Sequence, residues 1–122
     1  MEKKRSVGII ILGVYHLLGG TIFLLTGASW FFGLHPERTG SVLFSAGILL
    51  IAFYNLAVGI GVLTLKNWAR LLIFIYNSAT VILVCIGWLV GFPFNLVNML
   101  ILAWYSWMIY YFTRPNVREL FE

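Results

Sequence analysis

Four tyrosine-led pairs carry the residue types that could do chemistry: Tyr15-His16, Tyr54-Asn55, Tyr76-Asn77 and Tyr105-Ser106. Each sits inside a long apolar run. The imidazole of His16 can take up a proton near neutral pH, whereas the amides and hydroxyls only donate and accept hydrogen bonds. His16 is the one histidine inside any of the runs, and an ionisable group in such a place is a functional suspect by default. General acid–base or nucleophilic chemistry would rest on His16 and hydroxyls alone. The roles of an active site are therefore not filled, and the sequence predicts a protein that is not an enzyme.

Two readings of the four pairs stand side by side. In one, His16, Asn55, Asn77 and Ser106 hold helices together, each bond contributing about 0.6–2 kcal/mol. In the other, the pairs line a polar cavity, open to the cytoplasm, that binds a small solute, a lipid head group or a proton. At about 1.5 Å of rise per residue, the polar groups lie about 9–15 Å from the cytoplasmic ends of their helices, as a loose layer if they turn inward. The outer half of the runs is poorer, with Ser45, Cys85 and Asn98 as its main polar members.

The rest of the inventory removes several chemistries. One cysteine, Cys85, excludes an internal disulfide and any CxxC pair, and its apolar setting predicts a small buried side chain. No second histidine accompanies His16 in a run, so no metal, haem or other cofactor is expected. His35 lies in the polar stretch His35-Pro36-Glu37-Arg38-Thr39-Gly40 and reads as an exposed turn residue. The runs hold no Asp, Glu, Lys or Arg, which argues against a carboxylate-coupled proton antiporter.

The elements that position these residues follow from hydropathy. Of the 122 residues 61% are hydrophobic and only 10% charged, and the mean hydropathy is +0.97. A soluble domain carries about 25% charged residues, and one this small could not hide so much apolar surface within itself. A bilayer must supply the remaining apolar environment. Four stretches are long enough to cross its roughly 30 Å of hydrocarbon as helices: Val7–Thr26 with the aromatic continuation Trp30-Phe31-Phe32, Val42–Leu65, Leu71–Val90 and Leu96–Phe112. The first run is about twice the usual 7–15 residues of a signal-peptide apolar region, so it is expected to stay as a span.

The net charge of +4 does not point to nucleic acid, because the basic residues sit only at segment ends and form no face. They instead set topology. Lys3, Lys4 and Arg5 precede the first span, Lys66 and Arg70 bound the second turn, and Arg114 and Arg118 follow the fourth span. Only Arg38 falls on the other side, so both ends are predicted to face the cytoplasm of a cell-membrane protein. Those seven cations are the expected lipid head-group contacts. Trp30, Phe31, Phe32, Phe92 and Phe94 would form an outer aromatic belt, with Trp30–Leu34 along the surface, and Trp68, Tyr110 and Tyr111 an inner one.

Small residues four apart, Ser41/Ser45, Ala57/Gly61 and Gly87/Gly91, mark candidate contact faces, with Gly13, Gly19, Gly20, Gly47 and Gly59 as further sites of close approach. The short 66–70 and 91–95 turns predict antiparallel neighbours. The expected architecture is a single all-α transmembrane domain, an up-down-up-down four-helix bundle. Pro115 breaks the fourth span, and Val117, Leu120 and Phe121 share a face of a short interfacial helix over 114–122, with Arg114 reaching lipid phosphates.

The run Gly59-Ile60-Gly61 through Lys66-Asn67-Trp68-Ala69-Arg70, with Asn95 and Asn98 and the tail Arg114-Pro115-Asn116-Val117-Arg118, resembles stretches of small uncharacterised four-span prokaryotic membrane proteins. The resemblance implies a fold and an address, but no activity and no site residues. The sequence thus predicts an accessory or scaffold subunit that packs on other membrane subunits or on itself. A small transporter, channel or lipid- or solute-binding protein using the Tyr/His/Asn layer is the alternative.

Overall fold

The computed structural model describes residues 6–33 and 42–121. The expected contacts of Lys3, Lys4 and Arg5, and the readings of His35, Arg38 and Ser41, lie outside them. The described residues are helical throughout their regular elements: α1 (Val7–Phe31), α2 (Val42–Leu63), α3 (Asn67–Leu89), α4 (Leu96–Thr113) and α5 (Pro115–Arg118), closed by a 3₁₀ turn, Glu119–Phe121. The first four are each long and apolar enough to cross a membrane. The chain is a multi-pass integral membrane protein.

Local chemistry sets the boundaries. Ser6 caps α1 by accepting the Ile9 N–H through Oγ, and Asn95 caps α4 by accepting the Asn98 N–H. α1 and α3 end in glycines with positive φ, Gly33 (69°) and Gly91 (96°). At Gly91 the two closing bonds are Gly91 N–H to Trp88 O (3.2 Å) and Phe92 N–H to Gly87 O (3.0 Å), which satisfy the last carbonyls of α3. α2 ends the same way, but with Leu65 (φ 57°) where a glycine would be unstrained.

Two boundaries differ from expectation by four residues or more. α1 runs on through Trp30 and Phe31, so these do not form a separate surface segment. Nothing between Thr26 and Gly33 stops the helix, and the Trp30 ring packs edge-on against Phe44 at 5.5 Å. α3 begins at Asn67, four residues earlier than the apolar run, so Trp68, Ala69 and Arg70 are helical. Arg70 there donates through Nε to Asn67 Oδ1 at 3.0 Å, a bond one turn apart on the helix surface.

The chain divides into two compact units, Met1–Leu65 and Lys66–Glu122. In the first, α1 and α2 are antiparallel and interlock through a seven-residue repeat. A Cβ placed on Gly13 would lie 2.5 Å from Leu63 Cγ, on Gly20 2.8 Å from Leu56 Cγ, and on Gly27 2.9 Å from Leu49 Cδ2. The relation also runs the other way, since a Cβ on Gly59 would lie 2.9 Å from Leu17 Cγ. Glycines every seventh residue of α1 thus receive leucines every seventh residue of α2, a knobs-into-holes seam. Ile9, Leu12, Ala52, Val58 and Val62 fill the same interface and are wholly buried. The contact face is therefore this heptad and not the four-residue spacing of Ala57 and Gly61, because Ala57 is exposed although Gly61 is buried.

In the second unit, α3 and α4 are joined by the 90–95 turn and carry fewer buried residues. These are Ala69, Ile73 and Asn77 on one stripe of α3, and Met108 and Phe112 on α4. Gly91 is exposed and contributes no contact face with Gly87. α5 and the 3₁₀ turn fold back so that Val117 and Phe121 are buried, the Phe121 ring meeting Phe112 edge-on at 5.8 Å. The apolar face of the tail is thus spent on the protein, and only Leu120, half-buried, remains partly open.

Candidate functional site

Two polar residues inside the first unit, His16 and Asn55, meet at one point. His16, on the α1 face that also carries Ile9, Leu12 and Gly20, is 4% exposed. Its Nδ1 lies 2.9 Å from Asn55 Oδ1 on α2. The Asn55 amide is held from its other end, because Nδ2 donates to the Ile51 carbonyl at 2.9 Å. A carbonyl accepts only, so Nδ2 must be the nitrogen, and Oδ1 is left to accept from His16. The pair therefore fixes His16 as the Nδ1–H donor and, in the neutral ring, leaves Nε2 as a bare acceptor. That Nε2 is buried with no hydrogen-bond partner among the described residues.

Tyr15 and Tyr54 flank this contact differently. The Tyr15 ring is T-shaped to His16 at 5.3 Å and is itself exposed, while Tyr54 is half-buried. Adjacent helical residues point about 100° apart, and here the seam takes His16 with Leu17 and Asn55 with Leu56, which leaves Tyr15 turned outward.

The same geometry splits the pairs of the second unit. Asn77 is 1% exposed and Tyr76 is exposed. The Asn77 Nδ2 is buried without a hydrogen-bond partner among the described residues. On α4 the order reverses: Tyr105 is half-buried and stacks edge-on with Tyr76 at 6.4 Å, whereas Ser106 is exposed. Ser106 therefore does not belong to an inward layer. The structure brings together His16 with Asn55 in one unit, and Tyr76 with Tyr105 in the other. Cys85 also departs from expectation, being exposed rather than buried.

Other hydroxyls are turned back on their own helices. Thr21, Thr26, Thr64 and Thr80 each donate to the carbonyl four residues earlier, at 2.8–2.9 Å. This satisfies them where lipid offers no partner. Among the cations, Lys66, Arg114 and Arg118 are exposed and Arg70 is half-buried. The Arg114 guanidinium lies 5.4 Å over the Tyr110 ring, which holds it beside the end of α4.

Two features escaped sequence reasoning. One is the Gly13/Gly20/Gly27 repeat with its Leu49/Leu56/Leu63 counterpart, legible only if both helices are read at a period of seven. The other is an aromatic stack along α4, where Trp107 lies 5.4 Å from Trp104 and 5.5 Å from Tyr111. No group of three or more His, Cys, Asp or Glu side chains that could hold a metal ion occurs among the described residues.

Fold and site together define a multi-pass membrane protein with a hydrogen-bonded His–Asn pair inside its first helix hairpin. Compared with known protein families, curated proteins and solved structures, the chain matches none.

Proposed function

We propose that the chain is a non-enzymatic accessory or scaffold subunit of a membrane complex, set in the cell membrane with both ends on the cytoplasmic side. One observation carries this reading. Apart from His16 Nε2, the polar side chains described inside α1 and α2 close their hydrogen bonds within the chain, in His16–Asn55, Asn55–Ile51 and the threonine back-bonds. The outward faces of all four spans present large apolar side chains, such as Leu18, Leu43, Leu83 and Leu100. Polar groups used in this way hold helices in register, and apolar flanks suit contact with lipid or with further membrane helices, from larger subunits or from other copies of the chain. The cytoplasmic placement of the ends follows from the Lys and Arg distribution.

A second reading, a small transporter, channel or solute-binding protein, is favoured by a different observation. His16 Nε2 and Asn77 Nδ2 are buried polar atoms with no partner among the described residues, and such atoms normally have one. The substitution His16→Leu separates the two readings. For a scaffold, the variant assembles with the same partner and merely unfolds more readily. For a transporter or binding protein, inserted and folded His16→Leu protein loses solute flux or binding in vesicles. Retained assembly with unchanged flux supports the first reading, and loss of flux without loss of fold overturns it.

A further inference from the structure

The α3–α4 hairpin carries its charge at one end only. From Leu71 to Thr113 no residue is charged, whereas Lys66 and Arg70 flank the start of α3, and Arg114 and Arg118 follow α4. The Tyr76 and Tyr105 rings meet at 6.4 Å and mark the register of the two helices. From that contact Arg70 lies six residues back along α3 and Arg114 nine residues on along α4, about 9 Å and about 14 Å toward the same end. The two arginines thus stand within about one turn of each other, on helices packed about 8–10 Å apart.

Each is held by a neighbour that does not neutralise it. Arg70 is half-buried, and its Nε donates to Asn67 Oδ1 at 3.0 Å, which leaves both Nη groups to donate elsewhere. The Arg114 guanidinium lies 5.4 Å from the centre of the Tyr110 ring. Neither arginine makes an ion pair among the described residues. The one acid of this hairpin and its tail among those residues, Glu119, is exposed. A guanidinium drawn partly out of water normally meets an acceptor. What this end of the hairpin lacks is an anion with several oxygens.

Depth selects the source of that anion. Trp68 and Tyr110, 46% and 61% exposed, flank the arginines on the same two helices, and tryptophan and tyrosine at a span end mark the level of lipid head groups. The tail keeps Arg114 at that level, because Val117 and Phe121 are buried and Phe121 packs on Phe112. A phosphate at this depth belongs to a lipid. Two planar guanidinium forks match its oxygens, which the point charge of a lysine does not. Two cations without a counter-charge also disfavour a head group that brings a cation of its own.

We infer that Arg70 and Arg114 together clamp the phosphate of one anionic phospholipid, and that Asn67 and Tyr110 position them for it. The lipid belongs to the leaflet at which α3 begins and α4 ends. Lys66 and Arg118, each four residues beyond a clamp arginine and exposed, add to the field around it without forming part of the clamp.

Native mass spectrometry of the full chain tests this, after extraction from vesicles of equal dioleoyl phosphatidylglycerol and dioleoyl phosphatidylcholine. One phosphatidylglycerol per chain should persist, in about tenfold excess over phosphatidylcholine. Arg70→Gln and Arg114→Gln should each lower that retention about fivefold at unchanged helicity, and Lys66→Gln and Arg118→Gln, which remove the same charge, less than about twofold. Arg70→Lys, which keeps the charge and loses the fork, should behave like Arg70→Gln. Asn67→Ala and Tyr110→Leu leave all four cations in place and should still lower retention about threefold, because they free the two guanidiniums. Equal retention of the two lipids overturns the proposal, as do equal losses from all four cation variants, which mark a diffuse positive surface. Full retention in both uncharged variants overturns the positioning of the clamp. Inorganic phosphate added in excess should not displace the lipid, and a phosphate adduct in its place overturns the lipid as the source.

Discussion

His16 Nδ1 on α1 stands 2.9 Å from Asn55 Oδ1 on α2, and Asn55 is locked from behind by the Ile51 carbonyl. The bond ties two helices whose remaining interface is almost wholly apolar, at a depth where neither group has water to turn to. It specifies register, since a slip by one residue would bury an unpaired imidazole and an unpaired amide together.

A double-mutant cycle with His16→Leu and Asn55→Leu measures that coupling. Unfolding in mixed micelles of rising SDS fraction should return an interaction energy of about 0.6–2 kcal/mol, with Asn55→Leu alone the more costly because it strands a buried imidazole. Additive effects would mean that the bond contributes nothing to the fold.

The glycine seam gives a sharper contrast between neighbours. A Cβ on Gly20 would approach the backbone nitrogen of Leu56 to 2.9 Å, and one on Gly59 that of Leu17 to 3.0 Å, contacts that no rotamer change relieves. Gly20→Ala and Gly59→Ala should each destabilise by about 1–3 kcal/mol. Gly19→Ala, one position away with nothing within 4 Å, should be neutral or stabilise by up to about 1 kcal/mol through helix propensity. The same SDS titration reads both.

Leu65 and Gly91 occupy the same kind of backbone position with opposite suitability. Leu65→Gly relieves a left-handed leucine and should stabilise by about 0.5–1 kcal/mol, while Gly91→Ala imposes a side chain at φ 96° and should destabilise by about 1–2 kcal/mol. Thermal loss of the monodisperse peak in size-exclusion chromatography should move in opposite directions for the two.

Topology is open to direct labelling. In a Cys85→Ser background, cysteines placed at Lys66 and Asn116 should react with a membrane-impermeant maleimide only from the cytoplasmic side, and one placed at Pro93 only from the opposite side. Reversed accessibility would contradict the orientation set by the Lys and Arg distribution.

Much of this fold is legible in the sequence, and the reasons are physical. Each span is an uninterrupted apolar run of bilayer length, a signal that packing hardly modifies. The ends were harder to place. Asn67 and Arg70 are polar yet helix-competent, so α3 starts before hydropathy rises, and α1 continues past Thr26 until Gly33 allows a left-handed stop.

The polar pairs were only half legible. Composition identifies His16 and Asn55 as groups that need partners, but which of two adjacent residues faces inward depends on helix rotation. In the first hairpin rotation is set by the seam, a seven-residue match between two helices that neither reveals alone, and on α4 it is set by packing on α3. Ser106 shows the consequence, since its helix turns Tyr105 inward instead. The tail shows another limit, because the spacing of Val117 and Phe121 marks an apolar face without saying that Phe112 receives it.

The most direct measurement on the proposed role is the composition of the particle that carries the chain. The native membrane should be extracted in mild detergent at natural abundance, and the particle weighed by mass photometry and quantified by stoichiometric mass spectrometry. A subunit role requires the chain to be found in fixed ratio with a larger membrane protein, and that ratio to survive His16→Leu. A chain recovered alone that moves a solute across vesicle membranes by itself would contradict it.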